Sequence, residues 1–269
     1  MKISFYRRIV QLVVMIGIFM IPLLNILEIY FIKGTFYSID VGDVAMADPL
    51  AVFQSVITSE TINTVMLISV IIPVLLAMFF GRVWCSWFCP YHFLVEMLQK
   101  LRNLLKLKSI KPEYSESLVN RSNRIRLLFL LIGLFITGIA GIPLLNLISA
   151  PGIISSQALV LVKFHYFTFE IVFILFLLIM EFFFFYFFWC RLLCPTGIFL
   201  SLIDRKKAMK VTKIQPECSM CKSCIKSCPM VINPMNEGNN PLCHNCGICI
   251  DSCPDNKKRN TLRFKFWGS

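Results

Sequence analysis

The sequence is poor in charged side chains: Asp, Glu, Lys and Arg together make up 16% of its 269 residues. An average globular chain has about 25%, so this one lacks the charge to cover the surface of an ordinary soluble domain. Hydrophobic residues reach 57%, with 25 phenylalanines, and this composition excludes a disordered chain. The scarcity of charge and the surplus of apolar side chains predict a membrane protein.

Acidic residues are scarcer than basic ones, since 15 Asp and Glu accompany 27 Lys and Arg, for a formal net charge of +12. Of the basic residues, 25 lie in the N-terminal tail, in the 81–126 segment, or from residue 189 onward. Lys and Arg concentrate in the cytoplasmic loops of membrane proteins. The charge is therefore explained by topology and attraction to membrane lipid, which argues against a nucleic-acid partner. Both termini and the middle loop are predicted to be cytoplasmic.

Four apolar runs are long enough for helices that cross a bilayer, which takes roughly 17–25 residues. Their predicted ranges are about 9–32, 62–80, 127–148 and 167–188. The first run is too long for the apolar core of a signal peptide, so it is interpreted as a span. We predict an α-helical membrane domain over 1–209, with four transmembrane helices in two repeated pairs.

Near residue 210 the long apolar runs stop and two cysteine runs follow. Each has the spacing C-x2-C-x2-C-x3-C-P, typical of bacterial ferredoxins with two [4Fe–4S] clusters, in which the fourth cysteine ligates the other cluster. The predicted ligands are Cys218, Cys221, Cys224 and Cys253 for the first cluster, and Cys243, Cys246, Cys249 and Cys228 for the second. We therefore predict a small α+β ferredoxin-like domain over 210–269, on the cytoplasmic side.

Zinc and disulfides are the alternatives for these eight cysteines. Structural zinc sites usually pair two C-x2–4-C knuckles across a longer gap, which does not match two triple runs with a fourth cysteine and a proline. Disulfides are disfavoured because the predicted compartment is the reducing cytoplasm. Iron–sulfur ligation is the interpretation that the spacing favours.

The remaining four cysteines form a second repeat at the predicted cytoplasmic edge of the membrane. Trp84–Pro90 and Trp189–Pro195 share the pattern W-C-x3-C-P at an offset of 105 residues. Cysteines at i and i+4 are predicted to share one face of a helix. Two such pairs could supply a further iron–sulfur centre; redox-active dithiols and simple packing are the alternatives. The residues concerned are Cys85, Cys89, Cys190 and Cys194.

Three titratable side chains are candidates for proton transfer. Glu181 lies eight residues before Trp189, about 12 Å along a helix, which places it within the predicted hydrocarbon region. A carboxylate there is a candidate for proton transfer. The alternative is a protonated carboxyl group that forms a hydrogen bond between two helices. His92 and Glu96 follow the first C-x3-C-P motif and could form a proton-accepting pair at the inner face, although histidine is also often structural.

The order of these motifs along essentially the whole chain resembles the NapH-type ferredoxin-like subunits of periplasmic nitrate reductase systems. The resemblance implies a quinol dehydrogenase subunit of the bacterial inner membrane, with four transmembrane helices and two [4Fe–4S] clusters. It also implies electron transfer to a periplasmic ferredoxin-type partner and onward to a multihaem cytochrome or nitrate reductase. The methylamine-utilisation (MauN) relatives have a similar architecture.

Two functional questions stay open at the level of sequence. Cluster potentials span about −700 to +450 mV, and ferredoxin spacing is often found toward the low end, so electrons could instead flow into quinone. A redox or metal-reducing assembly factor for a respiratory enzyme would have the same motifs. Quinol reactivity distinguishes the two classes, because an electron-transfer subunit should exchange electrons with quinone rapidly and an assembly factor need not.

Overall fold

The computed structural model of the chain is mostly helical, with a cysteine-rich region at its C-terminal end. The residues that it describes are 2–27, 32–35, 38–41, 44–59, 61, 63–203, 208–214, 218–256 and 261–266. Residues 28–31, at the end of the first predicted span, lie outside this set.

The main helices follow the same order in both halves of the helical region, and among the described residues the second half has one additional short helix. The first half contains α1 (Ile3–Ile26), α2 (Pro49–Ser59), α3 (Thr64–Phe80), α4 (Val83–Trp87) and α5 (Pro90–Leu104). The second contains α6 (Glu116–Ala140), the short α7 (Leu144–Leu147), α8 (Ala150–Phe164), α9 (Glu170–Phe183), a π-helical turn (Trp189–Leu193) and α10 (Pro195–Ile203). The repeat seen in the cysteine motifs thus extends to the helices around them, including α2 and α8, which the sequence analysis did not predict.

Among the described residues, α1 and α6 are the two helices long and apolar enough to cross a membrane. Helices α3 and α9 have 17 and 14 residues. At 1.5 Å per residue they are about 26 and 21 Å long, against a hydrocarbon core of about 30 Å. The predicted run 167–188 is not one helix, because α9 ends at Phe183 and Phe187 has a left-handed backbone with φ of 48°. Four spans therefore stay a prediction.

A three-stranded antiparallel sheet connects α1 to α2. Its strands are β1 (Ile32–Thr35), β2 (Ser38–Val41) and β3 (Val44–Ala47), in sequential order. Gly34 pairs with Ile39 and has φ of 95°. A Cβ atom there would lie 2.1 Å from the Ser38 carbonyl oxygen, so the tight connection requires glycine.

The C-terminal module combines two strands with two short helices. Strand β4 (Lys210–Lys213) pairs antiparallel with β5 (Leu262–Lys265), and α11 (Ser223–Ser227) and α12 (Ile248–Asp251) lie between them in sequence. The strands and helices share a small buried core, which consists of Val211, Cys224, Cys249, Cys253 and Leu262.

This module packs against the end of the helical region that contains the chain's N-terminus. The backbone N–H groups of Ile3 and Ser4 donate to the Asp251 carboxylate at 2.9 and 2.7 Å. A carboxylate in this position satisfies N–H groups that a helix start leaves unpaired and interacts favourably with the helix dipole. The Asn245 side chain donates to the carbonyls of Phe80 and Met209 at 3.0 and 2.7 Å.

The module also contributes to the main hydrophobic core of the molecule. Met230, Ile232 and Leu242 are at most 1% exposed and belong to the same buried cluster as Tyr91 and Val95 of α5. Helices α6, α8 and α9 supply further members of this cluster. The helical region and the C-terminal module are therefore joined by a continuous core.

Candidate functional site

The C-x3-C-P motifs differ from the predicted geometry. Cys85 lies in α4 and Cys190 in the π-helical turn, but Cys89 and Cys194 have extended backbones, with ψ of 118° and 107°. Each of these two precedes a proline, which disfavours the α conformation in the residue before it. The prediction that the paired cysteines share one face of a helix is therefore wrong. The second cysteine of each motif instead directly precedes the next helix.

The structure nevertheless brings the two motifs together around one cavity of about 30 Å³. A Cβ atom on Gly197 would lie 3.5 Å from Cys194 Sγ and 3.7 Å from Cys85 Sγ, so sulfur atoms from both halves face the same small space. The Gly197 N–H donates to Cys194 Sγ at 3.4 Å. Burial raises the pKa of Cys194 to about 12. The cysteines that line the cavity are Cys85, Cys89, Cys190 and Cys194.

Two buried arginines lie beside this cavity. Arg82 lines it, is 2% exposed, and has no hydrogen-bond partner for Nε or Nη1 among the described residues. Arg126 is also 2% exposed and donates from Nη1 and Nη2 to the carbonyls of Pro241 and Gly197, at 2.9 and 3.2 Å. In the described part of the chain, no Asp or Glu lines the cavity. Its wall is thus cationic.

A second cavity, of about 20 Å³, lies within the C-terminal module. The cysteines that line it are the four predicted ligands of the second cluster, Cys228, Cys243, Cys246 and Cys249. Of the other predicted set, Cys224 and Cys253 are buried in one small core, Cys218 is half-buried, and Cys221 is exposed.

The eight cysteines that line the two cavities surround a space in each case and do not converge on a single point. Within the described ranges, no three His, Cys, Asp or Glu side chains form a group that could hold a single metal ion. A [4Fe–4S] cluster is held by four cysteine thiolates, each bound to a different iron, so it needs sulfur atoms arranged around a space. The donor sets of both cavities fit that requirement, and the ligand assignment itself stays a prediction.

His244 connects the two cavities, because this residue lines both of them. The side chain is 3% exposed, and neither ring nitrogen has a hydrogen-bond partner among the described residues. Its ring centroid lies 4.8 Å from that of His92 in an edge-to-face contact. The Ser86 hydroxyl donates to the His244 carbonyl at 2.6 Å, which attaches this segment to the first C-x3-C-P motif.

Glu181 is fully buried near the end of α9. Its Oε1 accepts hydrogen bonds from the Tyr91 hydroxyl at 3.1 Å and from the Trp189 N–H at 2.9 Å. Its Oε2 has no partner among the described residues. Burial and the Glu181 carboxylate raise the pKa of Tyr91, so the phenol remains a donor. Trp189 directly precedes Cys190, so its hydrogen bond places Glu181 next to the second C-x3-C-P motif. Burial and then the same carboxylate raise the pKa of Cys190.

Glu96 has different surroundings. Its Oε1 accepts from Arg7 Nη2 at 2.7 Å and lies 3.6 Å from His92 Nε2, and its Oε2 lies 3.3 Å from Arg8 Nη2. Burial opposes ionisation, but His92 and the two arginines outweigh it and hold the pKa of Glu96 below its usual range. The structure therefore brings the predicted His92–Glu96 pair together, but as part of an ion cluster that keeps Glu96 ionised.

Five residues of this site were not singled out from the sequence: Arg82, Tyr91, Arg126, Gly197 and His244. Arg82, Tyr91 and Gly197 lie within three residues of a C-x3-C-P motif, which is the available signal, whereas Arg126 lies far from both motifs. His244 directly follows Cys243, but nothing in the local sequence indicates that it also reaches the other cavity.

Comparison with known proteins agrees with this site. Residues 62–108 and 166–212 each match the model of a 4Fe-4S binding domain. Each match contains one C-x3-C-P motif, so the pair follows the internal repeat. With the cysteine-rich C-terminal region, these matches indicate a protein that binds 4Fe–4S clusters, and its apolar helices indicate a membrane location.

The chain is similar to NapH and MauN proteins. It is 27% identical to the ferredoxin-type protein NapH of Escherichia coli, covering 69% of this chain and 61% of that one. It is 26% identical to the methylamine utilization ferredoxin-type protein MauN of Methylobacillus flagellatus, covering 71% and 64%. An uncharacterised protein of Methanocaldococcus jannaschii is 30% identical, covering 60% and 64%. The chain spans about three fifths of the length of the curated relatives it matches. No solved structure matches it.

Proposed function

We propose that this chain is a membrane electron-transfer protein that oxidises quinol and passes the electrons to a partner, toward a periplasmic reductase. The observation that carries the proposal is the buried carboxylate of Glu181, which is hydrogen-bonded to Trp189, the residue before Cys190 of a cysteine-lined cavity. His244 lines both this cavity and a second cysteine-lined cavity. Similarity to NapH supports nitrate reductase as the terminal acceptor. A periplasmic ferredoxin-type protein and a multihaem cytochrome are the proposed intermediates.

The proposed topology has α1, α3, α6 and α9 as four spans, with both termini in the cytoplasm. Large apolar side chains on these four helices are exposed, as lipid contact requires, with Val65, Leu128 and Phe176 as examples. The N-terminus, the segment with α4 and α5, and the C-terminal module contact one another at one end of the molecule. This arrangement supports their common location on the side that the basic residues predict.

Oxidation of one quinol to quinone releases two electrons and two protons. Iron–sulfur clusters at the cysteine sites would accept the electrons singly. Glu181 accepts one proton at Oε2, while Tyr91 and the Trp189 N–H hold the other carboxylate oxygen. His92 lines the C-x3-C-P cavity, and its Nε2, which lies 3.6 Å from Glu96 Oε1, accepts the second proton.

The apolar surface for the quinol ring lies next to this carboxylate. Phe183 and Phe184 follow Glu181 closely and are 57% and 67% exposed. On a helix end that borders lipid, such aromatic rings offer a contact face to a lipid-soluble ring. A quinol approaching from the membrane would therefore reach Glu181 before the cysteine cavity.

The test is direct reduction by quinol. The chain is purified anaerobically in detergent, oxidised, and mixed with a menaquinol analogue, and cluster reduction is followed by EPR. We expect rapid reduction. Clusters that dithionite reduces and the quinol analogue does not would overturn the proposal, and would favour electron flow into quinone or a maturation factor for a respiratory enzyme.

A further inference from the structure

The C-x3-C-P cavity combines features that neither dithiol chemistry nor simple packing explains. We propose that its four cysteines ligate one iron–sulfur cluster that the two halves of the molecule share, with Arg82 and Arg126 as its counter-charges. Each half supplies two of the four ligands, so neither half can hold the cluster alone. The ligands would be Cys85, Cys89, Cys190 and Cys194.

The first argument is the donor set. The four cysteines come from positions 105 residues apart in the repeat, yet all line one cavity. Sulfur atoms of Cys85 and Cys194, one from each half, both approach the backbone of Gly197. Among the described residues, no three of these cysteines are arranged to coordinate a single metal ion. Four thiolates around a space, without a common point, suit a polynuclear iron–sulfur body better than zinc.

The second argument is charge. Arg82 and Arg126 are both 2% exposed, and among the described residues no carboxylate forms an ion pair with either of them. Buried charges are costly unless they are paired. Four neutral thiols would leave both guanidinium groups uncompensated. An oxidised cluster with four thiolates has a net charge of about −2, which two arginines neutralise.

The third argument is the space at Gly197. This residue is the third in α10, and a Cβ atom there would lie 3.2 Å from Arg82 Nη2 and within 3.7 Å of two cysteine sulfurs. The backbone itself therefore forms part of the wall, and its N–H donates to Cys194 Sγ. Backbone N–H donation to cluster sulfur is one of the interactions that set cluster potentials.

This cluster would extend the proposed function by adding a redox centre next to the second C-terminal cluster. The two cavities are neighbours, since His244 lines both of them. The cluster does not depend on quinol as the electron donor. Iron content therefore tests it independently of the quinol experiment, and either proposal can fail while the other stands.

The experiment measures iron, acid-labile sulfide and zinc per chain in anaerobically purified full-length protein, together with Mössbauer spectra. We expect about twelve iron atoms for three [4Fe–4S] clusters, or about ten if the shared cluster is [2Fe–2S]. Cys85→Ala and Cys190→Ala should each lower the count to about eight, and the double variant should lose no more than either single variant. Cys221→Ala serves as the matched control, because it should lose iron from the C-terminal module and retain the shared cluster.

Three results would overturn the proposal. A count of about eight iron atoms that is the same in the unmodified chain and in the alanine variants would show that the four cysteines bind no cluster. They would then be redox-active dithiols or packing residues. Zinc in place of the extra iron would show a mononuclear site. Additive losses in the double variant would show a separate centre in each half. Retention of the C-terminal cluster signals in the Cys85→Ala and Cys190→Ala variants separates ligand loss from failure to fold.

Substitution of Arg82 tests its role as a counter-charge through the reduction potential of the shared cluster, which a purely structural role would leave unchanged. A nearby positive charge stabilises the more negative, reduced form of a cluster and raises its reduction potential. Arg82→Gln should therefore lower the potential of the shared cluster in redox-titrated EPR, and Arg82→Lys should restore it. An unchanged potential in Arg82→Gln would contradict the assignment of this side chain as a counter-charge.

Discussion

Glu181 and Glu96 are both buried carboxylates, yet their neighbours give them different properties. Glu96 is surrounded by Arg7, Arg8 and His92, whereas Glu181 accepts from two uncharged donors and has one carboxylate oxygen without a partner among the described residues. A carboxylate oxygen that is ion-paired with arginine has a low affinity for a proton, because protonation would remove the charge that the arginine stabilises. At the residue scale, the geometry therefore favours Glu181 as the proton acceptor and Glu96 as an anchor between α1 and α5.

The first prediction concerns Glu181→Gln. The amide keeps the shape of the side chain but cannot take up a proton, so we expect cluster reduction by quinol to slow by about 100-fold, with unchanged iron content. Stopped-flow measurement of cluster reduction checks this. Glu170→Gln is the matched control on the same helix, since Glu170 accepts from Gln157 Nε2 at 3.0 Å and is not part of the proposed site. An unchanged rate in Glu181→Gln would remove this carboxylate from the site.

The second prediction concerns the pH dependence that Glu96 confers. Its pKa is lower in the folded chain than its usual value. The stability that it contributes is therefore present above about pH 4.3 and is lost as the pH falls toward the folded pKa. Removing one partner of a buried ion pair costs about 3–5 kcal/mol. Glu96→Gln should thus lower the thermal midpoint strongly at pH 7, and the difference from the unmodified chain should shrink on acidification. A difference that is constant with pH would contradict this account.

At the element scale, the prolines that end the two motifs position the second cysteine of each pair. Pro90 and Pro195 begin α5 and α10, and each makes an extended conformation favourable in the cysteine before it. Without this break, α4 and α5 could join as one helix. Cys89 would then point along a helix face instead of lying at the start of α5.

The third prediction follows from this geometry. Pro90→Ala should lower the iron content by about four atoms per chain, or about two if the shared cluster is [2Fe–2S], because Cys89 would leave the C-x3-C-P cavity. Pro49→Ala is the matched control, since Pro49 also begins a helix but follows Asp48 rather than a cysteine. Iron analysis of both purified variants checks this prediction. Equal iron in Pro90→Ala and Pro49→Ala would show that the proline does not position the ligand.

At the scale of the whole molecule, the C-terminal module has a small core of its own but also contributes to the main core of the helical region. Its residues Met230, Ile232 and Leu242 are packed with Tyr91 and Val95 of the helical region. The sequence suggested a boundary at residue 210, and β4 does begin at Lys210, but the buried cluster extends across that position. We therefore expect the module and the helices around it to unfold together.

The fourth prediction tests this coupling with Leu242→Ala. Leu242 is fully buried, so the substitution should cost about 2–5 kcal/mol. Loss of cluster absorbance and loss of helical circular dichroism should shift by the same amount on heating, because one cooperative unit is affected. Leu202→Ala, at a 61% exposed position of α10, should shift neither signal appreciably. Two separate transitions in Leu242→Ala would indicate independent domains.

Local patterns made much of this molecule predictable. Apolar runs indicated the helices α1, α3, α6 and α9, and cysteine spacing indicated the 4Fe–4S class before any fold was known. The predicted run 167–188 is longer than α9, which begins at Glu170 and ends at Phe183, because an unbroken run of aromatic residues does not mark the end of a helix. The i, i+4 interpretation of the C-x3-C-P motifs is wrong because Pro90 and Pro195 favour an extended conformation in the cysteine before them.

By itself, the sequence determined the composition, the basic asymmetry and the ligand motifs, since each depends on residues close together in the chain. The tertiary structure decided which distant residues meet. Ser86 and His244 are 158 positions apart, and Tyr91 and Glu181 are 90 apart, yet each pair is hydrogen-bonded. No local propensity encodes such contacts, because they arise only when the two halves and the C-terminal module pack into one core. The shared cavity, its arginines and its connection through His244 are products of that packing.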